Sequence, residues 1–212
     1  MQVALDDYVW AAGVATDLVN TAPEVWHGED HLPDLAALAG FADLHSIPTP
    51  ARASDLRAVH RLRTTVRDLI DHPDRAYLIS GATVLTSSIG HTTLDTSSDR
   101  SRWAVSLRPG ATVSDALSLI CGVGLLGVVH TLGAGRFHAC GAPTCQGAFI
   151  DTTRPGRRRY CMPGLCGNRA NVANHRARRA TAIRTGHTSR SDASLQPYDS
   201  QSQNNSHTKD KR

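Results

Sequence analysis

The 212-residue sequence lacks the two features that would place it in or across a membrane. Its first twenty residues have no basic segment and include Asp6, Asp7 and Asp17, so a secretory signal sequence is not predicted. Its longest apolar stretch, residues 116–132, is interrupted by three glycines and is not predicted to span a bilayer. We therefore expect a soluble cytoplasmic protein without a membrane partner.

Groups arranged for catalysis are also missing from the first part of the chain. Its histidines are scattered, at positions 27, 31, 45, 60, 72, 91 and 130, and none forms a helical pair spaced for metal. The pattern Gly122-x-Gly124-x-x-Gly127 resembles a dinucleotide-binding loop, but it lies within a predicted helix. There its backbone amides cannot reach a pyrophosphate. We predict that the protein is not an enzyme and has no catalytic residues.

Acidic residues are absent from Thr152 to Arg190, and this absence divides the charge unevenly. Residues 1–150 contain ten Arg and fifteen acidic residues, whereas residues 151–190 contain ten Arg and Asp151 alone. Residues 191–212 carry three charges of each sign. A charge run is commonly only a solvated surface, but a basic run joined to a metal-binding module favours a nucleic-acid partner.

Four of the five cysteines form two close pairs, Cys140-x4-Cys145 and Cys161-x4-Cys166. This spacing is typical of four thiolates that bind one tetrahedral zinc ion. Two disulfides or another metal are the alternatives, and a reducing cytoplasm disfavours the disulfides. We predict one structural Zn²⁺ held by these four cysteines. The fifth, Cys121, lies in an apolar run and is expected to be a core residue.

The segment around the cysteines is predicted to form a treble-clef-like finger. Its expected elements are strands at residues 136–139, 148–151 and 157–160 and a helix from Cys166 to about residue 183. The fourth thiolate would then lie at a helix start, where the helix dipole favours an anion. One side of this helix carries Ala170, Ala173, Ala177 and Ala180, and we expect it to lie against the zinc loop.

Basic and amide side chains of the same segment are the candidate DNA contacts. They are Arg157, Arg158, Arg159, Asn168, Arg169, Asn171, His175, Arg176, Arg178 and Arg179. Guanidinium groups contact phosphates and guanine edges, and amides pair with adenine. Residues 157–159 are predicted to contact phosphates and the helix to enter the major groove. For Asn168 and Arg169 the alternative is a role within the finger, near the metal.

The remainder of the chain is predicted to be mostly helical. Helices are expected at residues 5–20, 33–45 (opened by Pro33), 54–73 (capped by Ser54), 75–89 and 112–132, with a β-hairpin of strands 92–96 and 102–107 across the turn 97–100. The predicted fold class is α+β: a helical domain with a small antiparallel β element, 1–135, then the finger, 136–184. Residues 185–212 are too polar to fold and are expected to be a disordered tail.

Two stretches of the sequence resemble the bacterial CGNR zinc-finger family. Cys166-Gly167-Asn168-Arg169 spells CGNR, and Phe149-Ile150-Asp151 and Arg157-Arg158-Arg159-Tyr160-Cys161 precede it. Nearer the N-terminus, Asp17-Leu18-Val19-Asn20-Thr21 is similar to the Asp-Phe-Val-Asn-Thr box of the ABATE domain that accompanies this finger. The resemblance implies a stress-induced transcription regulator.

The residues by themselves support a zinc site and a surface that binds polyanions. Combined with the resemblance, they predict a zinc-dependent protein that binds double-stranded DNA at the nucleoid. Its first domain would sense a small-molecule effector or form a homodimer. The alternative is a finger that docks an acidic protein partner. Asn20 and Thr21 of the box are interpreted as structural residues that hold the following loop.

Overall fold

The computed structural model describes residues 1–87, 90–96 and 102–188, with side chains described up to Thr181. The helices in these ranges are α1 (Tyr8–Val19), α2 (Leu35–Leu44), α3 (Ala53–Asp71), α4 (Arg75–Ser87), α5 (Val113–Thr131) and α6 (Asn168–Thr188). The strands are β1 (Gln2–Ala4), β2 (Gly90–Asp95), β3 (Arg102–Leu107), β4 (Phe137–Ala139) and β5 (Ala148–Ile150). The predicted fold class, α+β and mostly helical, is confirmed. Met1–Asn171 form one compact unit, and a second begins at Val172.

Helix α5 is the centre of the core and packs against α1 and α4. Thr112 caps it, because its hydroxyl accepts a hydrogen bond from the Asp115 amide and the Asp115 carboxylate accepts one from the Thr112 amide. A Cβ on Gly124 would lie 2.6 Å from the carbonyl carbon of Ala11. Gly124 and Gly127 therefore allow close packing of α5 against α1, and Gly122 allows it against α4.

By length and composition α5 would also pass as a membrane span, which the sequence had not predicted. Among the described residues it is the one helix that does so. In the structure 67% of that stretch is buried inside the protein. Its apolar surface is therefore accounted for by the core of the domain.

A three-stranded antiparallel sheet, in the order β1-β3-β2, lies beside these helices. The β2–β3 hairpin confirms the prediction, and its turn at 97–100 falls outside the described residues. Strand β1 was not predicted, because three residues are too few to show an alternating pattern. The helix expected from Leu5 begins instead at Tyr8, after a single 3-10 turn.

Two helix starts differ from the prediction by one or two residues. Helix α2 is capped by Asp34, whose carboxylate accepts from the Ala37 amide, so Pro33 lies outside the helix. Helix α3 begins at Ala53, and Ser54 is not its cap. The carboxylate of Asp55 accepts from the Arg52 amide and satisfies that helix end.

The finger begins with the antiparallel hairpin of β4 and β5, as predicted. Phe137, Ala148 and Ile150 are buried in the same apolar cluster as the helices of the first domain. The hairpin is thus part of the main core. A second, smaller cluster surrounds the cysteines and consists of Ala142, Phe149, Cys161, Cys166 and Ala170.

The predicted strand at residues 157–160 is wrong, because the structure assigns no strand there. Its backbone groups have irregular partners: the Arg158 amide donates to the carboxylate of Asp151, and the Arg159 carbonyl accepts from the Gly141 amide. Helix α6 starts at Asn168, after a π-helical turn over Pro163–Gly167 that contains Cys166.

The alanine side of α6 differs in exposure between its first turn and the residues that follow. Ala170 is buried, whereas Ala173, Ala177 and Ala180 are exposed. Every residue from Asn171 to Thr181 is exposed. The predicted tail at 185–212 lies outside the described residues from position 189 onward.

Candidate metal centre and basic surface

The four cysteine sulfur atoms lie within 4.8 Å of one another. Those of Cys145, Cys161 and Cys166 are 3.6 Å apart in each pair. A zinc ion with bonds of about 2.3 Å to tetrahedral sulfurs requires sulfur–sulfur distances of about 3.8 Å. The cluster therefore fits zinc. It does not fit two disulfides, because these sulfurs are 3.6 Å apart and a disulfide bond is about 2.0 Å long.

Three different local structures present the four ligands. Cys140 follows β4, and its amide donates to the Gly147 carbonyl at 2.8 Å, which closes the loop that also holds Cys145. Cys161 ends the arginine-rich loop. Cys166 lies in the π-helical turn, where its amide donates to the Met162 carbonyl at 2.8 Å.

Backbone amides point at two of the sulfurs. The Gly147 amide lies 3.4 Å from Cys145 Sγ, and the Cys161 amide lies 3.4 Å from Cys140 Sγ. Burial, together with the neighbouring Cys140, raises the pKa of the Cys161 thiol. Four thiolates this close repel one another, so a divalent cation is what allows them to ionise together.

Cys121 lies apart from this centre and is fully buried in the main core. Burial raises the pKa of its thiol to about 12. The prediction that it is a core residue and not a ligand is therefore confirmed.

Arg158, predicted to contact DNA, is used inside the finger. Its guanidinium donates to the carbonyl oxygens of Tyr160 and Cys161 and lies 4.9 Å from the centre of the Phe149 ring. These contacts hold the loop that carries the third ligand. Asn168 is similar, because its side-chain amide donates to the Gly164 carbonyl at 2.7 Å and braces the π-helical turn.

The other predicted contact residues are exposed. Two lie in the loop between the cysteine pairs, Arg157 and Arg159, and six lie on α6: Arg169, Asn171, His175, Arg176, Arg178 and Arg179. The Arg159 guanidinium lies 5.9 Å from the centre of the Tyr160 ring. Arg154 in the same loop is exposed as well and was not included in the sequence prediction, although it belongs to the same acid-free run.

The box of residues 17–21 at the end of α1 has a role that the sequence did not show. Asn20 was interpreted as holding the loop that follows it. In the structure its side chain forms hydrogen bonds with the backbone amide and the backbone carbonyl of Ala148 in the finger, 128 residues further along the chain. The Thr21 hydroxyl donates a hydrogen bond to the Leu18 carbonyl and accepts one from the Arg63 guanidinium.

Two family models match the chain. The CGNR zinc finger matches residues 136–179, and the ABATE model, described as "Putative stress-induced transcription regulator", matches residues 12–123. No curated protein matches the chain. The four-cysteine centre and the finger match thus define a zinc-binding protein, and the two matching models describe a zinc finger and a regulator, neither of them an enzyme family. The ABATE match covers more than half of the sequence, and the chain belongs to that family, with a CGNR zinc finger at its C-terminal side.

Proposed function

We propose that this protein is a zinc-dependent transcription regulator that binds double-stranded DNA through its finger, in the cytoplasm at the nucleoid. The observation that carries the proposal is helix α6, which is exposed at every residue from Asn171 to Thr181 and contains no acidic residue. Its guanidinium groups have no carboxylate on their own helix to neutralise them. A phosphate backbone supplies that charge.

Hydrogen-bond partners and exposure together favour a smaller set of DNA contacts than the sequence predicted, because Arg158 and Asn168 bond backbone carbonyls of the finger. In the loop between the two cysteine pairs, the candidate phosphate contacts that remain are Arg154, Arg157 and Arg159. On α6, Arg176 and Arg179 lie about one turn apart, with Asn171 and His175 as further candidates to reach base edges. Arg169 and Arg178 are exposed and complete the set on the helix. Arg158 and Asn168 act by holding the loop and turn that carry these residues.

Helix α6 also has the composition of a segment that a partner stabilises. From Asn171 to Thr181 the exposed residues are polar or alanine except Val172, and a helix of this composition is marginally stable in water. Neutralising its arginines on a duplex would remove their mutual repulsion. We therefore expect DNA binding to protect the amides of Asn171–Thr181 against hydrogen exchange.

A salt titration of the full-length, zinc-loaded protein with a fluorescent duplex tests the proposal. Binding through about five to seven arginines should give a logarithm of the affinity that falls linearly with the logarithm of salt concentration, with a slope of roughly −4 to −6. The second candidate, docking of an acidic protein, rests on the same exposed arginines. Binding to a polyglutamate peptide without binding to DNA at low salt would favour that candidate.

For the first domain we propose the sensing of a small apolar effector, with a homodimer as the other candidate. A cavity of about 310 Å³ lies between α4, α5, β3 and the N-terminal 3-10 turn, and its lining is mainly apolar: Leu5, Val105, Val123 and Leu126, with Thr86, Gly127 and His130. Its volume falls in the range of small-molecule sites. Thermal shifts with a metabolite panel test the effector, and sedimentation at micromolar concentration tests the dimer.

A further inference from the structure

The C-terminal end of α1 supplies hydrogen bonds to the outer edge of the finger hairpin. The side-chain amide of Asn20 donates to the Ala148 carbonyl at 2.7 Å, and its oxygen accepts from the Ala148 amide at 3.1 Å. One turn earlier, the Thr16 hydroxyl accepts from the Ile150 amide at 3.1 Å. Since β4 occupies the opposite edge of β5, these two side chains take the place of a third strand.

Both side chains are held in place and shielded from water. Asn20 is 6% exposed and Thr16 is 2% exposed. The Asn20 side chain also donates to the Thr16 carbonyl at 2.7 Å, and the Asn20 carbonyl accepts from the Trp26 indole at 2.6 Å. Removing either side-chain partner would leave buried backbone groups of β5 unpaired, which costs more than the bond itself is worth.

The contact reaches the metal centre through Gly147. A Cβ at this position would lie 2.5 Å from Cys161 Sγ and 2.7 Å from Asn20 Oδ1, so the two side chains approach the same backbone carbon. The Gly147 amide donates to Cys145 Sγ, and its carbonyl accepts from the Cys140 amide. One residue therefore lies against Asn20 and against three of the four zinc ligands.

We propose that Asn20 and Thr16 are positioning residues of the zinc centre, so that the helical domain sets part of the zinc affinity of the finger. Linkage makes this coupling reciprocal: zinc stabilises the end of α1, and a change in the position of α1 alters the affinity for zinc. The helical domain thereby has a direct route to the finger. The proposal concerns the metal alone and stands or falls independently of DNA binding.

Competition between the full-length protein and a chromophoric zinc chelator tests the proposal. Thr16→Val keeps the shape of the side chain but removes the acceptor for the Ile150 amide, and Asn20→Ala removes both bonds to Ala148. Each should weaken zinc binding about 10- to 100-fold, as substitutions beside metal ligands do. Thr16→Ser retains the hydroxyl and should stay close to wild type, as should Arg61→Ala at an exposed position on α3.

Two further readouts separate positioning from general loss of structure. Circular dichroism should show wild-type helix content in Thr16→Val. The cobalt-substituted variant should keep the absorption spectrum of a tetrahedral thiolate site, but it should lose that spectrum at a lower chelator concentration than the wild type does. In the wild type, zinc removal should raise the hydrogen-exchange rates of the Asn20 and Ala148 amides. Wild-type zinc affinity in folded Thr16→Val would overturn the proposal. An exchange rate of the Asn20 amide that is the same with and without zinc would overturn it as well. If Asn20→Ala fails to fold, the comparison of Thr16→Val with Thr16→Ser and the exchange measurement decide the question.

Discussion

The main core and the segment that carries the four cysteines are each stabilised by a different kind of interaction. The main core contains more than thirty buried apolar residues around α5, and it includes the finger hairpin. The cluster around the cysteines contains five buried residues, two of which are themselves ligands. So small a cluster cannot offset the conformational entropy of its loops, and the metal has to supply the difference. One compact unit therefore contains a part that folds by burial of apolar side chains and a part that folds by coordination of a metal ion.

The largest expected effect comes from removing a ligand. Cys166→Ser should lose the zinc ion and the order of the loops between residues 140 and 171, while α1, α3 and α5 keep their structure because their core does not use the metal. Elemental analysis and amide exchange measure the two parts separately. Cys121→Ala is the matched control, since it removes a cysteine from the main core and should leave zinc content unchanged. Full zinc occupancy in Cys166→Ser would contradict the assignment.

The reverse experiment weakens burial and spares coordination. Leu125 is fully buried in the main core, and Leu125→Ala should lower the free energy of unfolding by about 2–5 kcal/mol. The zinc stoichiometry of the folded variant should stay at one per chain. Chemical denaturation and elemental analysis together give both values. A cost below about 1 kcal/mol would show that α5 is not the centre of the core.

Substitutions of exposed arginines should separate phosphate contact from base contact. Arg176→Ala or Arg179→Ala should cost about 1–3 kcal/mol of binding free energy, mainly on a preferred DNA site. Replacing both Arg157 and Arg159 by Ala should weaken binding to every duplex and reduce the salt slope by about two. Arg61→Ala removes an exposed arginine from α3 and serves as the control. Equal affinities for all these variants would favour an acidic protein partner.

The last prediction concerns an ion pair inside the helical domain. Arg63 donates two hydrogen bonds of 2.7 Å to the Asp30 carboxylate and lowers its pKa to about 2. Because the folded-state pKa is depressed, this pair contributes stability above the unfolded pKa near 3.9, and the contribution is lost as pH falls toward 2. Asp30→Asn should lower the free energy of unfolding by roughly 2 kcal/mol at pH 7 and flatten its decline between pH 4 and pH 2. Denaturation curves over that range measure it, and an unchanged pH profile would contradict the pair's role.

Local patterns predicted more of the molecule than long-range contacts did. Cysteine spacing identified the metal ligands, and the apolar period identified α5, because both signals lie within one stretch of chain. The partner of Asn20 could not be found this way, since Ala148 lies 128 residues further on.

Charge alone was a poorer guide to the role of each arginine. Residues 157–159 look alike in sequence, yet the guanidinium of Arg158 turns inward to carbonyl oxygens while its two neighbours are exposed. The orientation of each side chain depends on the irregular backbone at residues 157–160, where a strand was predicted and where the Arg158 amide donates to the Asp151 carboxylate instead. Ala173, Ala177 and Ala180 were expected to pack because they share one side of α6, but a shared side shows only that packing is feasible.

Binding of duplex DNA before and after removal of zinc tests the central claim most directly. The full-length protein should bind a labelled duplex at low salt when zinc is present, lose most of that affinity after the ion is removed by a chelator, and recover it when zinc is restored. The chelator should leave the helix content of the first domain in place. Affinity for DNA that is the same with and without the metal, or no affinity in the zinc-loaded protein, would contradict the account.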